Sequence, residues 1–335
     1  MNIIIPMAGM GKRMRPHTLT TAKPLIPIAG KPVVQRLVED IIATANEKVE
    51  EIAFIISPAF GEKVEKMLVD VAASLGAQGK ICYQKEALGT GHAILCAADS
   101  LKGNVFVAFA DTLFKADFKI QTEKDAIIWT QKVEDPSAFG VVKLDPDGRI
   151  TDFVEKPETF VSDLAIIGVY YFKDGENLKK ELQYLIDNNI LEKGEYQLTT
   201  AMENMKNKGL GFYSDQVEEW LDCGNKDATV YTNQRILEIK KDTETLMAAS
   251  AKFENATIIA PCFIGENVQI KNAVVGPHVS LEAGVIVENS LISNSIIQEQ
   301  TTVKNATLTN SMLGKNVNYS DKAKELSLGD FSVVS

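Results

Sequence analysis

The chain has 335 residues and a net charge of −10, with 45% hydrophobic and 24% charged residues. This length exceeds most single cores and indicates roughly two domains, and the composition is that of an ordinary globular protein. The acidic balance disfavours a general nucleic-acid or membrane-surface binder, because either would need a basic face. We therefore expect neither nucleic acid nor a membrane among its partners.

Cysteine usage and hydropathy indicate a cytoplasmic protein. No apolar run approaches the length of a membrane span, and a strand predicted from residue 2 leaves no room for a signal peptide. The four cysteines are far apart and form no C-x-x-C, which favours reduced and mostly buried thiols over a disulfide or a zinc site. They are Cys82, Cys96, Cys223 and Cys262.

A glycine-rich polar connection follows the first predicted strand, residues 3–5. Gly9 and Gly11 would let the backbone approach a ligand closely. Prolines then interrupt the connection, so the first helix is predicted only after Pro32. A glycine turn followed by fixed cations suits a polyphosphate; the alternative is a surface loop with solvated charges. The cations are Lys12, Arg13, Arg15, Lys23 and Lys31.

Two familiar phosphate loops do not fit this connection. A dinucleotide fingerprint would need a third glycine where Met14 stands. A Walker loop would need serine or threonine after Gly-Lys, where this chain has Arg13 after one such pair and Pro32 after the other.

Strands and helices alternate over the next part of the chain. Strands are predicted at 52–56, 81–84 and 105–109, and helices at 60–75 and 91–100. Residues 31–46 carry an apolar stripe of helical spacing, which predicts the first helix after Pro32. This alternation predicts βαβ units and a largely parallel sheet. Because ligands collect beyond the carboxyl ends of such strands, the loop 8–23, Gln84 and Asp111 should converge there.

From residue 126 the pattern favours a mixed sheet, with fewer helices between its strands. Strands are predicted at 127–129, 140–144, 149–154 and 166–172, with a hairpin turn at 145–148. Helices are predicted at 178–186, 198–206 and 228–240, and residues 241–253 as a linker.

The last part of the chain is repetitive. Six times an asparagine is followed by alanine or serine, any residue and an aliphatic one. Aliphatic residues recur at about every sixth position, which is typical of hexapeptide β-helix coils, and the alternative is an ordinary sandwich. The first two steps, of 17 residues each, are one residue short of a three-sided coil of three hexads. The asparagines are Asn255, Asn272, Asn289, Asn294, Asn305 and Asn310.

The N-terminal connection resembles the signature of sugar-1-phosphate nucleotidyltransferases, G-x-G-T-R-x-x-P-x-T followed by P-K-P-L-x-P-x-x-x-K-P. The chain departs from it at Ala8, Lys12 and Ala22. The resemblance covers essentially the whole chain and is to the long form of the family. It implies an α/β, Rossmann-like mixed-sheet domain at 1–240, the linker 241–253, and a left-handed parallel β-helix at 254–335. The matching residues are Gly9, Gly11, Arg13, Pro16, Thr18, Lys23, Pro24, Leu25, Pro27, Lys31 and Pro32.

By the same resemblance, the catalytic residues are Arg13, which would grip the β- and γ-phosphates, and Lys23, which would neutralise charge on the α-phosphate. Asp111 and Asp222 match the family's metal-binding aspartates and would hold Mg²⁺. Taken alone, Lys23 would be a solvated loop lysine and each aspartate a turn or cap residue.

The nucleotide base is expected to bind at Gln84 and the following residues 87–93, which we call the base loop. Gln84 can donate to and accept from the edge of a pyrimidine, and Gly89 leaves room for a flat base. The loop resembles that of uridylyl- and thymidylyltransferases, which favours UTP or dTTP. The nucleotide-binding residues are Ala8, Gly9, Gly11, Lys12, Gln84, Gly89, Thr90 and Asp111.

The second substrate implied is a hexose 1-phosphate, with glucose 1-phosphate favoured. Glu155 would bind sugar hydroxyls and Lys156 the sugar phosphate, as the family's E-K-P motif implies. Asp163 and Thr200 depart from the family pattern and leave the sugar open. The sugar-phosphate residues are Gly140, Glu155, Lys156 and Gly168.

Two other readings stay open. A hexapeptide-repeat acyltransferase, or a bifunctional enzyme, would need a catalytic histidine in the coils, where only His278 is available. An inactive regulatory subunit would be expected to have lost the phosphate lysine or a metal aspartate, and this chain keeps both. By fold analogy the β-helix predicts a homo-oligomer, a trimer or higher. The histidines His17, His92 and His278 are interpreted as structural.

Overall fold

A computed structural model describes residues 1–9, 11–115 and 119–322. The chain forms two compact units: the first comprises residues 1–26 and 31–228, and the second comprises residues 27–30 and the chain from residue 229 onward. The domain limits predicted at residues 240 and 254 remain predictions. Residues 323–335 of the predicted β-helix lie outside the described part.

Before the repeats, the described part of the chain contains six α-helices and a series of short strands. The helices are α1 (Val33–Thr44), α2 (Glu62–Ser74), α3 (Thr90–Leu95), α4 (Gly175–Asp187), α5 (Leu198–Asn207) and α6 (Lys226–Lys240). The strands are β1 (Asn2–Pro6), β2 (Pro27–Ile28), β3 (Lys31–Pro32), β4 (Glu51–Ile56), β5 (Gln78–Tyr83), β6 (Val105–Ala108), β7 (Thr112–Lys115), β8 (Ala126–Lys132), β9 (Gly140–Leu144), β10 (Ile150–Glu155), β11 (Leu164–Phe172), β12 (Phe212–Gln216) and β13 (Glu219–Asp222).

The first unit is built on a mixed sheet with the order β10-β9-β11-β6-β1-β4-β5. Its first part is parallel, since β1 pairs with β4 and β6, and β4 pairs with β5. Its second part is mainly antiparallel, because β11 runs against β6, β8 and β9. The predicted α/β class with a mixed sheet is confirmed. Ile3, Ile4 and Ile5 are fully buried, as expected for a central strand covered on both faces.

The topology directs three loops to one edge of this sheet. From β1 the chain adds β4 and β5 on one side, then crosses to add β6 on the other. Such a reversal opens a crevice beyond the carboxyl ends of the strands. The strands β1, β5 and β6 end at Pro6, Tyr83 and Ala108, so the loops that follow them begin at this edge.

Several predicted elements differ in detail. The helix predicted at 91–100 is α-helical only over Thr90–Leu95 and continues as turns. An antiparallel pair that the sequence did not predict joins β7 to β13, with Thr112 opposite Asp222. Each of these strands has only four residues, which is too short for a clear period-2 pattern.

The second unit contains a parallel β-helix, as predicted. Equivalent residues pair 17 positions apart in the first coils, as Cys262 with Val279, and 16 apart in the later ones, as Ile296 with Met312. Its strands are β14 (Lys252–Ile258), β15 (Cys262–Ile264), β16 (Gln269–Val275), β17 (Val279–Leu281), β18 (Ile286–Glu288), β19 (Leu291–Ile292), β20 (Ile296–Ile297), β21 (Thr302–Lys304), β22 (Thr307–Leu308), β23 (Met312–Leu313) and β24 (Asn318–Ser320).

The coils start inside the predicted linker 241–253. Met247 bridges to Ile264, and the Lys252 N–H donates to the Val268 carbonyl at 2.8 Å. Residues 247 and 252 of the predicted linker therefore pair with residues of the β-helix.

A residue with positive φ turns the chain at each corner of a coil. The six asparagines of the repeat all have φ between 39° and 52°, a left-handed conformation that asparagine tolerates better than most residues. The Asn272 side-chain amide donates to Asn289, which donates to Asn305, at 3.2 and 3.1 Å. The corners that follow one another are Asn272, His278, Gly284, Asn289, Asn294, Gln300, Asn305, Asn310 and Asn316.

The three sides of the β-helix differ in chemistry. The charged side carries ion pairs between successive coils, such as Glu254 with Lys271 at 2.7 Å. The covered side meets α6, where Ser280 donates to Asn233 at 2.7 Å. The uncharged side forms a groove of asparagine, threonine, alanine, valine, serine and leucine, with Leu291 49% exposed. Among the described residues, no helix combines the length and apolar character that crossing a membrane requires.

Candidate active site

The loop after β1 folds into successive 3-10 turns that bring its two ends together. Gly11 has φ of +58°, and the Thr18 hydroxyl donates to its carbonyl at 2.7 Å. A Cβ atom on Gly11 would lie 2.9 Å from the Lys23 Cβ and 3.1 Å from the Thr18 side chain. Glycine is therefore required here both for its backbone conformation and for the space that Lys23 occupies.

Lys23 and Asp111 form the charged centre of the site. The Lys23 Nζ lies 2.9 Å from the Asp111 Oδ2. The Lys23 side chain is only 9% exposed, whereas that of Asp111 is 42% exposed. The lysine is thus fixed in place by its burial and its partner, and the carboxylate still faces open space.

The missed β7–β13 pair places the second aspartate beside the first. The Cys223 N–H donates to the Asp111 carbonyl, and the Gly224 N–H to the Asp222 Oδ1, both at 2.9 Å. Burial raises the pKa of the Asp222 carboxyl, and Asp111 raises it further, while Lys23, the Gly224 N–H and Arg13 oppose the rise. Asp111 and both predicted catalytic cations are therefore close enough to act electrostatically on Asp222.

A cavity of about 550 Å³ opens over this centre. Its lining includes both predicted catalytic cations and every predicted nucleotide-binding residue: Ala8, Gly9, Gly11, Lys12, Arg13, Lys23, Gln84, Gly89, Thr90 and Asp111. The predicted convergence of the loop 8–23, Gln84 and Asp111 is therefore seen in the structure. Phe109 and Glu195 also line the cavity and were not predicted, because nothing in their local sequence separates them from surface or core residues.

The base loop is held by the segment that precedes α5. Gly89 has φ of +114°, and a Cβ atom there would lie 2.5 Å from the Tyr196 carbonyl oxygen. The Thr90 hydroxyl donates to the Gln197 Oε1, and the Gln197 Nε2 donates to Glu195, both at 3.0 Å. These contacts fix the start of α3 and hold Glu195 at the cavity.

The predicted sugar-phosphate residues form a second cluster, centred on Glu155. Gly140 lies opposite Glu155 in the β9–β10 pair, and a Cβ atom on Gly140 would lie 3.1 Å from the Glu155 Oε2. The Thr199 hydroxyl donates to the same oxygen at 3.4 Å, and the Lys156 Nζ lies 3.2 Å from the Glu155 Oε1. The Lys193 Nζ donates to the carbonyl oxygens of Glu155 and Lys156.

None of the four predicted sugar-phosphate residues lines the cavity. Two observations nevertheless place their cluster close to the cavity. Burial raises the pKa of Tyr170, and both Glu155 and Asp111 add to this rise, so the phenol lies within electrostatic range of both carboxylates. Gly168 accepts a hydrogen bond from the N–H of Phe109, a lining residue, at 2.9 Å.

The donor set suits a metal ion that arrives with phosphates. In the described part of the chain, no three histidine, cysteine, aspartate or glutamate side chains come together as a metal cage. Asp111 and Asp222 are close enough for one to raise the pKa of the other, and a divalent cation would relieve this repulsion. Mg²⁺ is usually bound by one or two carboxylates together with substrate phosphates and water, so the two aspartates fit such an ion.

Comparison with known proteins gives a consistent result. The model of the nucleotidyl transferase family matches residues 2–239, and members of this family generally use a divalent metal. A glucose-1-phosphate thymidylyltransferase from Streptomyces antibioticus is 29% identical over an alignment spanning 100% of this chain and 99% of the relative. The bifunctional protein GlmU of Methanocaldococcus jannaschii is 34% identical over 66% of this chain and 52% of its own length.

A solved structure shares the fold. The crystal structure of a nucleoside-diphosphate-sugar pyrophosphorylase from Vibrio cholerae RC9 superposes with a TM-score of 0.60 at 20% sequence identity. The match covers 69% of this chain and 99% of that one. At this identity the likeness supports the architecture alone.

Proposed function

This chain belongs to the nucleotidyl transferase family, and we propose that it joins a hexose 1-phosphate, most readily glucose 1-phosphate, to dTTP or UTP. The products would be a nucleoside-diphosphate sugar and pyrophosphate. The observation that carries this proposal is the buried Lys23, held 2.9 Å from Asp111 beneath a cavity that Arg13 also lines. The full-length similarity to a glucose-1-phosphate thymidylyltransferase supports the choice of substrates.

The reaction needs placement and charge neutralisation more than proton transfer. An oxygen of the sugar phosphate attacks the α-phosphorus of the triphosphate, and the bond from that phosphorus to the β-phosphate oxygen breaks. The attacking oxygen is already an anion, so no general base is required. Lys23 would exchange its carboxylate partner for the α-phosphate, and Arg13 would hold the departing pyrophosphate.

Asp111 and Asp222 would hold Mg²⁺ during this reaction. When bound, the ion neutralises charge on the phosphates. The half-exposed Asp111 carboxylate is accessible from the cavity, and the Gly224 N–H fixes the Asp222 carboxylate through its Oδ1. The protein's contribution is therefore to present two oriented carboxylates on adjacent strands.

The cluster around Glu155 is the proposed sugar site. Its carboxylate would accept hydrogen bonds from sugar hydroxyls, and Lys156 would contact the phosphate as a point charge. The Cβ-free Gly140 lets a ring approach Glu155. Gln84, Gly89 and Thr90 would bind the pyrimidine at the other end of the site.

A panel that crosses four nucleoside triphosphates and dTTP with several sugar 1-phosphates, read by pyrophosphate release with Mg²⁺, tests this function. We expect turnover with UTP or dTTP and a hexose 1-phosphate. Turnover only with purine nucleotides would overturn the choice of base. No turnover with any pair would overturn the proposed function and favour a regulatory role.

We also propose that copies of this chain assemble, as a trimer or higher oligomer, through the uncharged side of the β-helix. The other two sides are less suited, since one carries ion pairs exposed to water and the other is covered by α6. Leu291, 49% exposed in the uncharged groove, is the natural apolar contact between copies. Light scattering should show a smaller particle for Leu291→Lys and an unchanged one for Lys271→Ala. A monomeric wild-type protein would remove this proposal.

We also propose a cytoplasmic location. It is supported by the four cysteines, all within the described residues, none of which is in a disulfide, because thiols stay reduced in that compartment. Fractionation of cells that express the chain would test this location, and recovery from a secreted fraction would contradict it.

A further inference from the structure

The side-chain amide of Gln84 is held in a defined orientation. Its Nε2 lies 3.4 Å from the Gly89 carbonyl oxygen and 3.2 Å from the His92 Nδ1. A carbonyl oxygen can only accept, so the end of the amide that faces Gly89 must be the NH₂ group. The orientation thus follows from hydrogen-bond chemistry, whichever way the two amide atoms are named.

This arrangement also fixes the state of His92. If the NH₂ group of Gln84 faces the Nδ1 atom, that atom must carry a lone pair, and the ring proton must be on Nε2. Burial lowers the pKa of His92, and the carboxylate of Glu86 only partly opposes this effect. Both effects together favour the neutral ring, which an acceptor at Nδ1 requires.

The position of the ring is fixed as well. His92 lies in the first turn of α3, and the N–H of Gly91, the preceding residue, donates to the Tyr196 carbonyl at 2.8 Å. The Gly89 backbone is packed against Tyr196 too. The two acceptors that face the Gln84 amide are thus anchored to the same neighbouring segment.

Both amide hydrogens of Gln84 are used within the protein, and Gln84 lines the cavity. What remains for a ligand is the acceptor Oε1. We propose that His92 is a positioning residue that orients Gln84 so that this oxygen reads a ring N–H, as at position 3 of uracil or thymine, and rejects cytosine. The proposal rests on the function proposed above and refines it, because the amide becomes an acceptor only.

Cytosine carries a lone pair at ring position 3, so its ring nitrogen would face the Gln84 oxygen as acceptor against acceptor. Leaving such polar groups unpaired in a protected site typically lowers affinity about 10- to 100-fold. Without His92, only the longer 3.4 Å contact with the Gly89 carbonyl holds the amide. The amide can then rotate more readily and present its NH₂ group to the cavity, which would suit cytosine. The expected signature is therefore a change in the preference between bases and not a uniform loss of activity.

The test compares kcat/KM for UTP and CTP in the wild type, His92→Ala and His92→Asn. The side-chain oxygen of asparagine can replace the Nδ1 acceptor. We expect His92→Ala to lower the UTP:CTP ratio about tenfold or more, mainly through KM, and His92→Asn to restore most of it. Equal losses for both nucleotides in His92→Ala, or a failure of His92→Asn to differ from it, would overturn the proposal.

Equilibrium titration of the same three proteins with UTP and with CTP, with Mg²⁺ and without a sugar phosphate, separates this proposal from the proposed function. A shift in binding preference without any turnover would uphold the role of His92 and remove only the transferase. Turnover with an unchanged base preference in all three proteins would support the transferase function and overturn the role of His92. Thermal unfolding of each variant checks that the fold is intact.

Discussion

The two units of this protein use polar residues in opposite ways. In the first unit, polar side chains from distant loops converge on one cavity, and Lys23 pairs with Asp111 across 88 positions of sequence. In the second unit, polar side chains stack on copies of themselves, as Asn272 does on Asn289 across 17 positions. The first arrangement leaves charged groups facing open space. In the second, Asn255, Asn272 and Asn289 each donate a side-chain hydrogen bond to the next asparagine.

This difference predicts how each unit responds to substitution. Groups that converge on a cavity are held for a ligand, and their loss should change chemistry more than folding. Groups that stack at the corners of coils hold the backbone, and their loss should change folding more than chemistry. The following variants test this contrast in order of expected effect.

The largest effect is expected from Lys23→Ala. Removing a fixed cation from a developing phosphate charge should lower kcat about 10²- to 10³-fold. Stability should change little, because the partner Asp111 is 42% exposed and stays solvated. Steady-state pyrophosphate release and thermal unfolding measure the two quantities.

Lys12→Ala is the matched control for this variant. Lys12 lines the same cavity but has no assigned role at the α-phosphate, so its loss should raise KM for the nucleotide more than it lowers kcat. A fall in kcat for Lys23→Ala no greater than that for Lys12→Ala would contradict the role of Lys23.

The next effect concerns the metal ion. Asp222→Asn should raise the Mg²⁺ concentration that gives half-maximal activity. Loss of a group that only supports a metal ligand typically lowers metal affinity about 10- to 100-fold, so loss of a ligand should have at least this effect. Excess EDTA should abolish wild-type activity, and added Mg²⁺ should restore it. Asp70→Asn on the exposed surface of α2 serves as the control. An unchanged Mg²⁺ dependence in Asp222→Asn would remove that residue from the metal site.

The contrast between the units also explains what the sequence could predict. In the second unit, the repeated asparagines and the aliphatic spacing predicted the β-helix, because each corner needs a left-handed residue and each coil an inward aliphatic one. The length of a coil changes from 17 to 16 residues near the corner at His278. Val275 pairs with Ile292, 17 positions later, whereas Ser280 pairs with Ile296, 16 positions later. No single-residue signal marks such a change in register.

In the first unit, the predicted cations and Asp111 could be found from their place after apolar strands and from their motif. The pairing of β7 with β13, which brings Asp222 beside Asp111, could not, because it depends on two short strands far apart in the chain. Glu195 was missed as a lining residue for a related reason, because its contact with Gln197 is invisible to local patterns. The role proposed for His92 likewise depends on a contact, with Gln84, that the sequence does not show.

A moderate effect is expected at a corner of the β-helix. Asn289 has φ of 48° and takes part in side-chain bonds to both neighbouring coils. Asn289→Ala should lower the free energy of unfolding by about 1–2 kcal/mol. This is the typical cost of the left-handed conformation for a residue that has a Cβ atom but no polar side chain to form a hydrogen bond. Asn289→Gly keeps the conformation without strain, so it should lose less. Denaturant unfolding measures both, and kcat should be unchanged. An equal loss in the two variants would show that the asparagine ladder matters more than backbone strain.

The smallest effect is expected from Lys271→Ala on the charged side of the same coils. The hydrogen bond to Glu254 raises the pKa of Lys271, so any stabilising contribution is present below the lysine's unfolded pKa and is lost as the pH rises through the raised value. Both side chains are largely exposed, however, and solvent and salt screen such pairs. The free energy of unfolding at pH 7 should therefore be unchanged within error, with and without added salt. A loss as large as that of Asn289→Ala would mean that charge pairing, and not the left-handed corners, holds adjacent coils together.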